Sequence, residues 1–323
     1  MTAGPRSPAT PTRRRWQAVD GIVLLDKPAG LGSTPALQRV RRVLSAEKAG
    51  HAGTLDPLAT GMLPLCFGQA TKACGTLLGQ RKAYRATVAL GAATDTGDAE
   101  GAVVERREVP AVDAGRLEQV LAALRGARLQ VPPMYSALKR DGRPLYELAR
   151  RGETVERAAR PITIDRLVAG PWRDGSLEFE VTCSKGTYVR VLGEEIAAGL
   201  GTVGHLSALR RLWVEPFDPA GMVSLERIEA EPPVPGVRPA WLLPVDAAFP
   251  HLPRLDLDAA RSLHLRQGRV LEPPPAASPG EVWRAYDAEQ GFLGLVEVDA
   301  DGRLRVQRLF VAGAGTGAAR PGS

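Results

Sequence analysis

Between Gly50 and Gly61 the chain reads GHAGTLDPLATG, and no other segment restricts its folding as much. Three glycines in twelve residues let the backbone take positive φ values and come close to a bulky neighbour, while Pro57 fixes φ and removes a donor directly after Asp56. His51 and small hydroxyl residues flank the acid, and the apolar run Met62 to Phe67 follows as a buried strand. Standing alone, Asp56-Pro57 would make an ordinary Asx-type turn. The string as a whole has the composition of a site rather than of a core.

Around this loop, short elements of both kinds alternate irregularly. The run Gly21 to Leu25 reads as a buried strand ending in the turn Lys27-Pro28-Ala29-Gly30. Thr34 is placed to cap a helix with Pro35 at its first position, carrying an apolar stripe of Ala36, Leu37, Val40, Val43 and Leu44. Residues 82–90 alternate as a strand, with Tyr84 near its start. Further strands are expected at 102–107, 162–169, 177–183 and 211–216, and helices at 116–124, 144–151 and 188–198. Without a regular βαβ alternation, this pattern predicts an α+β domain around a mostly antiparallel mixed sheet flanked by helices. It spans residues 21–228 and follows a disordered basic tail at 1–20. The run 229–240 contains four prolines and reads as a linker. Beyond it, 241–312 carries a short helix (Leu257, Ala260, Leu263) and strands near 282–286, 292–298 and 304–311, a small β-rich domain. A flexible Gly/Ala-rich tail follows at 313–323.

The charge narrows the partner. Lys and Arg number 42 against 36 Asp and Glu, for a net +6 and a pI near 9.5, and only six of the 42 are Lys. Arginine donates bidentately to phosphate, so the excess favours a polyanionic partner, although a codon bias towards Arg, Ala, Gly and Pro would also produce this ratio. Cys66, Cys74 and Cys183 have no metal-ligand spacing, and four scattered histidines complete no zinc set. No apolar stretch reaches membrane-spanning length and the N-terminus lacks a signal-peptide core, so a cytoplasmic protein is expected. Asp95, Asp98 and Glu100 do not fit a calcium loop and read as an acidic turn.

The motif and its surroundings resemble the TruB-type tRNA pseudouridine synthases. The resemblance is carried in order by GIVLLDKPAG (21–30), GHAGTLDPLATG (50–61), LPLCFGQATK (63–72), KAYRATVALG (82–91), TDTGDAEG (94–101), VPPMYSALK (131–139) and CSKGTYVR (183–190). It implies a pseudouridine synthase fold followed by a PUA-like RNA-binding domain, and an isomerase acting on uridine 55 in the T-loop of tRNA. It implies Asp56 as the nucleophile, Arg190 as its ion-pair partner and Tyr84 stacked on the target base. His51 would pack in the T-loop where the flipped base was, Lys27 would support the active-site loops, and Leu209 would line the base pocket. The chain departs from the family at Gly32-Ser33-Thr34-Pro35, where a more polar segment is common.

The chemistry suits these residues. Breaking the N1–C1′ bond, turning the base and rejoining it through C5 needs an aimed, ionised carboxylate and no redox, energy or metal cofactor. No Walker loop or dinucleotide fingerprint is present in the sequence. The expected partner is tRNA, through its T-loop and stem, with the enzyme acting as a monomer away from membranes. A guide-RNA-dependent relative and an RNA-folding chaperone remain alternatives. A glycoside hydrolase would need a second carboxylate across the bond, and the nearest upstream, Glu47, is nine residues away.

Overall fold

In the computed structural model of the chain the described residues are 16–310, apart from 137, 141, 174, 235, 276 and 290. Of the disordered tail expected at 1–20, residues 1–15 lie outside them, as does the flexible tail expected at 313–323, whereas residues 16–20 are tied to the fold, Gln17 N donating to Ser45 O and Asp20 Oδ1 accepting from Gln69 N.

In chain order, the first half contains strand β1 (Gly21–Lys27), helix α1 (Ser33–Leu44), β2 (Ala49–His51), β3 (Thr60–Phe67), α2 (Cys74–Leu78), β4 (Lys82–Leu90), β5 (Ala92–Thr94), β6 (Val103–Arg106), α3 (Ala114–Leu124) and β7 (Gly126–Gln130). Then come β8 (Lys139–Arg140), β9 (Arg143–Pro144), α4 (Leu145–Ala149), β10 (Arg160–Arg173), β11 (Ser176–Cys183), α5 (Val189–Gly199), β12 (Gly204–Val214), β13 (Val223–Ser224) and α6 (Leu225–Ala230). The C-terminal part adds β14 (Arg254–Leu257), α7 (Ala259–Arg266), β15 (Val282–Asp287), β16 (Gly291–Val298) and β17 (Leu304–Leu309).

Among the described residues nine strands form one mixed sheet in the order β13-β1-β3-β12-β4-β11-β10-β7, with β2 paired to β3. Most pairings are antiparallel, but β12 runs parallel to β3 and antiparallel to β4, so a strand late in the chain is wedged between two early ones. The wedge requires Gly61: at φ +96 its ideal Cβ would lie 2.1 Å from the Arg211 carbonyl oxygen, so a side chain there would push the two strands apart. β12 begins at Gly204, well before the strand expected from residue 211, because pairing with β4 fixes its whole length.

Two cores explain why β1 and β3 are apolar throughout while β11 alternates. Val23, Leu25, Leu63, Leu65 and Phe67 face the larger core, shared with α1, α5 and α6. Ile22, Leu24, Met62 and Cys66 face the other side, where Phe249, Leu295 and Phe310 cover them. Strands covered on both faces read as continuous hydrophobic runs. The second cover comes from the C-terminal part, whose four-stranded sheet (β14-β15-β16-β17) is therefore docked on the large sheet. Polar contacts reinforce the seam: Lys72 Nζ donates to Leu309 O at 2.7 Å and Arg308 to Lys72 O at 2.9 Å. The end of the proline-rich stretch is likewise anchored, with Arg238 donating to Leu242 O and Leu243 O, Trp241 and Leu242 buried in the larger core, and Leu243 bridged to Ile22.

One helix start differs from expectation. Gly32, not Thr34, is the N-cap of α1 and makes no side-chain cap bond. The hydroxyl that the local sequence offers to the helix, on Ser33, is taken by a tertiary partner, Leu55, while Thr34 points to solvent. Helices α3, α4 and α5 start within two residues of expectation, α3 with Asp113 accepting from the Arg116 amide, whereas α2 and α6 have no counterpart in the expectations and Leu257, expected in the C-terminal helix, ends β14.

Candidate active site

The segment joining β2 to β3 carries Asp56 and is pinned from several elements. Ser33 Oγ accepts from Leu55 N at 2.7 Å and donates to Leu55 O at 2.9 Å. Gly30 N donates to Pro57 O at 2.8 Å. Lys27, fully buried, donates to Leu31 O at 2.6 Å and Pro28 O at 2.8 Å, with Pro57 O at 3.4 Å. From β12, the buried Arg211 donates to Gly53 O at 3.1 Å and Met62 O at 2.6 Å, gripping both ends of the loop with one guanidinium. Backbone carbonyls thus receive most of these bonds, which fixes the loop's path.

Arg190, in the first turn of α5, meets the loop from across the cleft. Its Nε lies 3.1 Å from Asp56 Oδ2 and 3.6 Å from Asp98 Oδ2. Its other nitrogens donate to Thr96 O at 2.5 Å and Tyr135 O at 2.6 Å, so the fork is held in one orientation. Asp98 is itself buried and accepts from Thr96 Oγ1 and the Glu100 amide. Asp56 is therefore not balanced by its cation alone. Burial pushes its pKa above the usual carboxylate value, Arg190 pulls it down, and the neighbouring Asp98 pushes it up again.

Two cavities meet at this pair. One, of about 520 Å³, is lined by Leu55, Lys82, Tyr84, Val189, Leu209 and Arg211 as well as Asp56 and Arg190. The other, of about 590 Å³, continues past Asp98, Glu100, Tyr135 and Arg150. Together they form a trough with the ion pair at its middle. Tyr84 is held in β4 directly opposite Arg211 of β12. Burial raises its pKa, and the guanidinium beside it acts in the opposite direction. Lys82, also in the first cavity, donates to Leu78 O and Gln80 O and is brought down to about 8 by burial and then by Arg211.

Of the residues singled out from the sequence, Asp56, Arg190, Tyr84 and Leu209 line one cavity. Lys27 lies under the motif loop and lines neither cavity; burial lowers its pKa to about 8 against the pull of Asp56. His51 sits in β2, off both cavity walls, with Nδ1 buried without a partner and its pKa lowered by burial and then by Arg211. Three participants escaped the sequence reading. Asp98 reads in the sequence as part of an acidic turn, Ser33 as part of the segment that departs from the family, and Arg211 as one of many arginines. Arg211 did carry a signal, since it shares strand parity with Leu209 and so faces the same side of the sheet.

Among the described residues no group of three or more acidic, histidine or cysteine side chains is disposed to hold a metal, and no helix is long and apolar enough to cross a membrane. Within the acidic turn Asp95 Oδ1 accepts from Ala102 N at 2.8 Å and Asp98 Oδ1 from Glu100 N at 3.1 Å.

Comparison with known proteins gives concordant matches. The sequence model described as TruB family pseudouridylate synthase (N terminal domain) matches residues 41–189, and that described as Pseudouridine synthase II TruB, C-terminal, matches residues 253–310. A tRNA pseudouridine synthase B from Aromatoleum aromaticum is 53% identical over 297 residues, covering 92% of this chain and 94% of that protein. One from Chromohalobacter salexigens is 48% identical over 301 residues, covering 92% and 96%. Among solved structures, that of a Cbf5-Nop10-Gar1 complex superposes with a TM-score of 0.67 at 22% identity, covering 90% of this chain and 85% of the other, a likeness of fold.

Proposed function

The chain belongs to the TruB family of pseudouridylate synthases, and from that premise we propose that it isomerises uridine 55 in the T-loop of tRNA to pseudouridine, with Asp56 as nucleophile. Its α+β architecture is the pseudouridine synthase fold. The observation that carries the site reading is the Asp56–Arg190 pair at the junction of two cavities, on a loop whose backbone is tied down from four sides.

In this reading the target uridine is flipped out of its stack into the cavity beside Tyr84. Unstacking costs a few kcal/mol, and stacking on an aromatic ring returns about 1–3 kcal/mol. Arg190 orients the Asp56 carboxylate, which attacks the ribose or base or stabilises the separated pair. Leu209 supplies an apolar wall. Lys27 holds the loop through Pro57, and His51 fills the place the base vacates in the T-loop. Residues 21–228 act as the catalytic domain and 241–312 as an RNA-binding module, in a cytoplasmic monomer that needs no cofactor.

The test is tritium release from an unmodified tRNA transcript labelled at uridine C5, with purified protein alone, an Asp56→Asn control and mapping of the product. Release by the wild type only, with pseudouridine at position 55, is expected. Absence of release despite tight tRNA binding overturns the reading and favours a partner-dependent enzyme or a folding chaperone.

A further inference from the structure

Arg211 is the least exposed charged side chain lining the cavity beside Tyr84, at 1% of its surface, and among the described residues it pairs with no carboxylate. Two of its nitrogens are occupied by the carbonyls of Met62 and Gly53. The guanidinium also bonds the Tyr84 hydroxyl and lines the cavity wall, and its Nη1 lies 3.2 Å from where a Cβ on Gly53 would stand, so a side chain at 53, already strained at φ +99, would crowd it. Lys82 adds a second buried cation to the same wall. Among the described residues Asp56 is the one carboxylate lining this cavity, and it is already paired with Arg190, which lines the same cavity. Burying a guanidinium without a counter-ion costs several kcal/mol, and backbone carbonyls offset only part of it. A fold that needed no more than a loop clamp would satisfy Gly53 O and Met62 O with neutral donors. A fixed, buried positive charge in the wall of such a cavity is instead suited to negative charge that appears there during reaction.

The proposed isomerisation produces such charge. When the N1–C1′ bond breaks, both electrons stay with the base, leaving a uracil anion delocalised over N1, O2 and O4. The base turns, the C5–C1′ bond forms, the C5 proton is lost and a nitrogen regains one, so atoms and charge balance. Between the two bonds the anion changes orientation, and a guanidinium field, unlike a single directed hydrogen bond, stabilises it throughout. We propose that Arg211 acts directly on the detached base, its buried guanidinium stabilising the uracil anion while it turns. This inference rests on the proposed pseudouridine synthesis.

The experiment measures single-turnover loss of the target nucleoside, by digestion and mass spectrometry, in tRNA transcripts carrying uridine or 5-fluorouridine. Fluorine withdraws electrons and stabilises the base anion without help from the protein. Arg211→Gln is expected to slow the uridine reaction roughly 100-fold, the scale for losing one such donor, and the 5-fluorouridine reaction much less. The ratio of the two rates therefore rises at least about tenfold while the tRNA Kd stays within a few-fold. Arg211→Lys, which retains a charge but not the fork, is expected to shift the ratio in the same direction by less, and it carries the test if the Gln variant does not fold. A ratio equal to the wild-type value, whether both rates fall together or neither falls, overturns the proposal, since a structural clamp affects both substrates alike. An inactive wild type on uridine instead refutes the underlying function.

Discussion

Replacing Ser33 with alanine tests whether a single buried hydroxyl sets the position of the catalytic loop. Ser33 is 4% exposed and Leu55 is 3% exposed, and their reciprocal bonds of 2.7 and 2.9 Å satisfy both the amide and the carbonyl of the residue preceding Asp56. Alanine leaves both groups buried without partners, at about 1–3 kcal/mol for each, and part of this is recovered because the hydroxyl is no longer desolvated. A net loss of about 2 kcal/mol corresponds to a fall in Tm of roughly 3 °C for a protein of this size. Catalytically, Gly30 and Lys27 still hold Pro57, so Asp56 is loosened and not released. Misplacement by an ångström costs about 100-fold, and a partly held loop is expected to lose roughly 10-fold in single-turnover rate with unchanged tRNA affinity. Thermal melts, single-turnover tritium release and filter binding read the three quantities, with Thr34→Ala, its exposed neighbour, as control. If Ser33→Ala melts within about 1 °C of the wild type and reacts within about twofold, the idea that this bond aims the carboxylate is wrong.

Three other outcomes follow from the same geometry. Arg190→Lys is expected to lose roughly 100-fold or more in kcat while binding tRNA normally, because one ammonium cannot serve Asp56, Thr96 O and Tyr135 O together; near-wild-type turnover would contradict it. In the proposed mechanism Asp56 reacts in its ionised form, so the rate is expected to fall as pH drops through its pKa, which the charge on Asp98 raises. Asp98→Asn should therefore move the acid limb of the pH–rate profile to lower pH, and an unmoved limb removes Asp98 from the electrostatics. Lys27 has a pKa of about 8 in the folded protein against 10.5 for the free side chain, so between those values the unfolded chain holds more protons. Stability from this group is lowest below pH 8 and rises as pH increases towards 10.5, by up to about 1.4 kcal/mol per unit. Urea unfolding from pH 7.5 to 10 should show wild type gaining on Lys27→Met; parallel curves would place the lysine in solvent.

The local parts of this site were legible in the chain and the long-range parts were not. Glycine and proline punctuation around Asp56 announces a rigid loop, and the alternation of residues 82–90 gives β4 to the residue. Continuous apolar runs correctly mark β1 and β3 as buried on both faces, yet nothing within them says that the second cover is a C-terminal sheet more than two hundred residues away. Thr34 and Ser33 stand side by side at a helix start, and local preference cannot reveal that Leu55 claims the Ser33 hydroxyl. Asp98 looks like a turn residue because turns favour aspartate for local reasons, and only the approach of α5 turns it into a neighbour of the active-site cation. In an arginine-rich chain the burial of Arg211 is hidden by composition, and strand parity is the one pointer left.

The wedging of β12 between β3 and β4 has a consequence for synthesis of the protein. Until Val214 has left the ribosome, the facing edges of β3 and β4 have no partner strand, and Asp56 and Tyr84 lie on separate, incomplete sheets. Unpaired strand edges of this kind invite pairing with other chains, and a sheet closed by such distant segments forms slowly. From the end of β3 to the end of β12, a little under half of its translation, the growing chain thus holds an aggregation-prone intermediate, and the loop of Asp56 acquires its grip from Arg211 in the same event that seals those edges. Nascent chains arrested before residue 204 should be captured by strand-binding chaperones, and chains extended past residue 214 should be released.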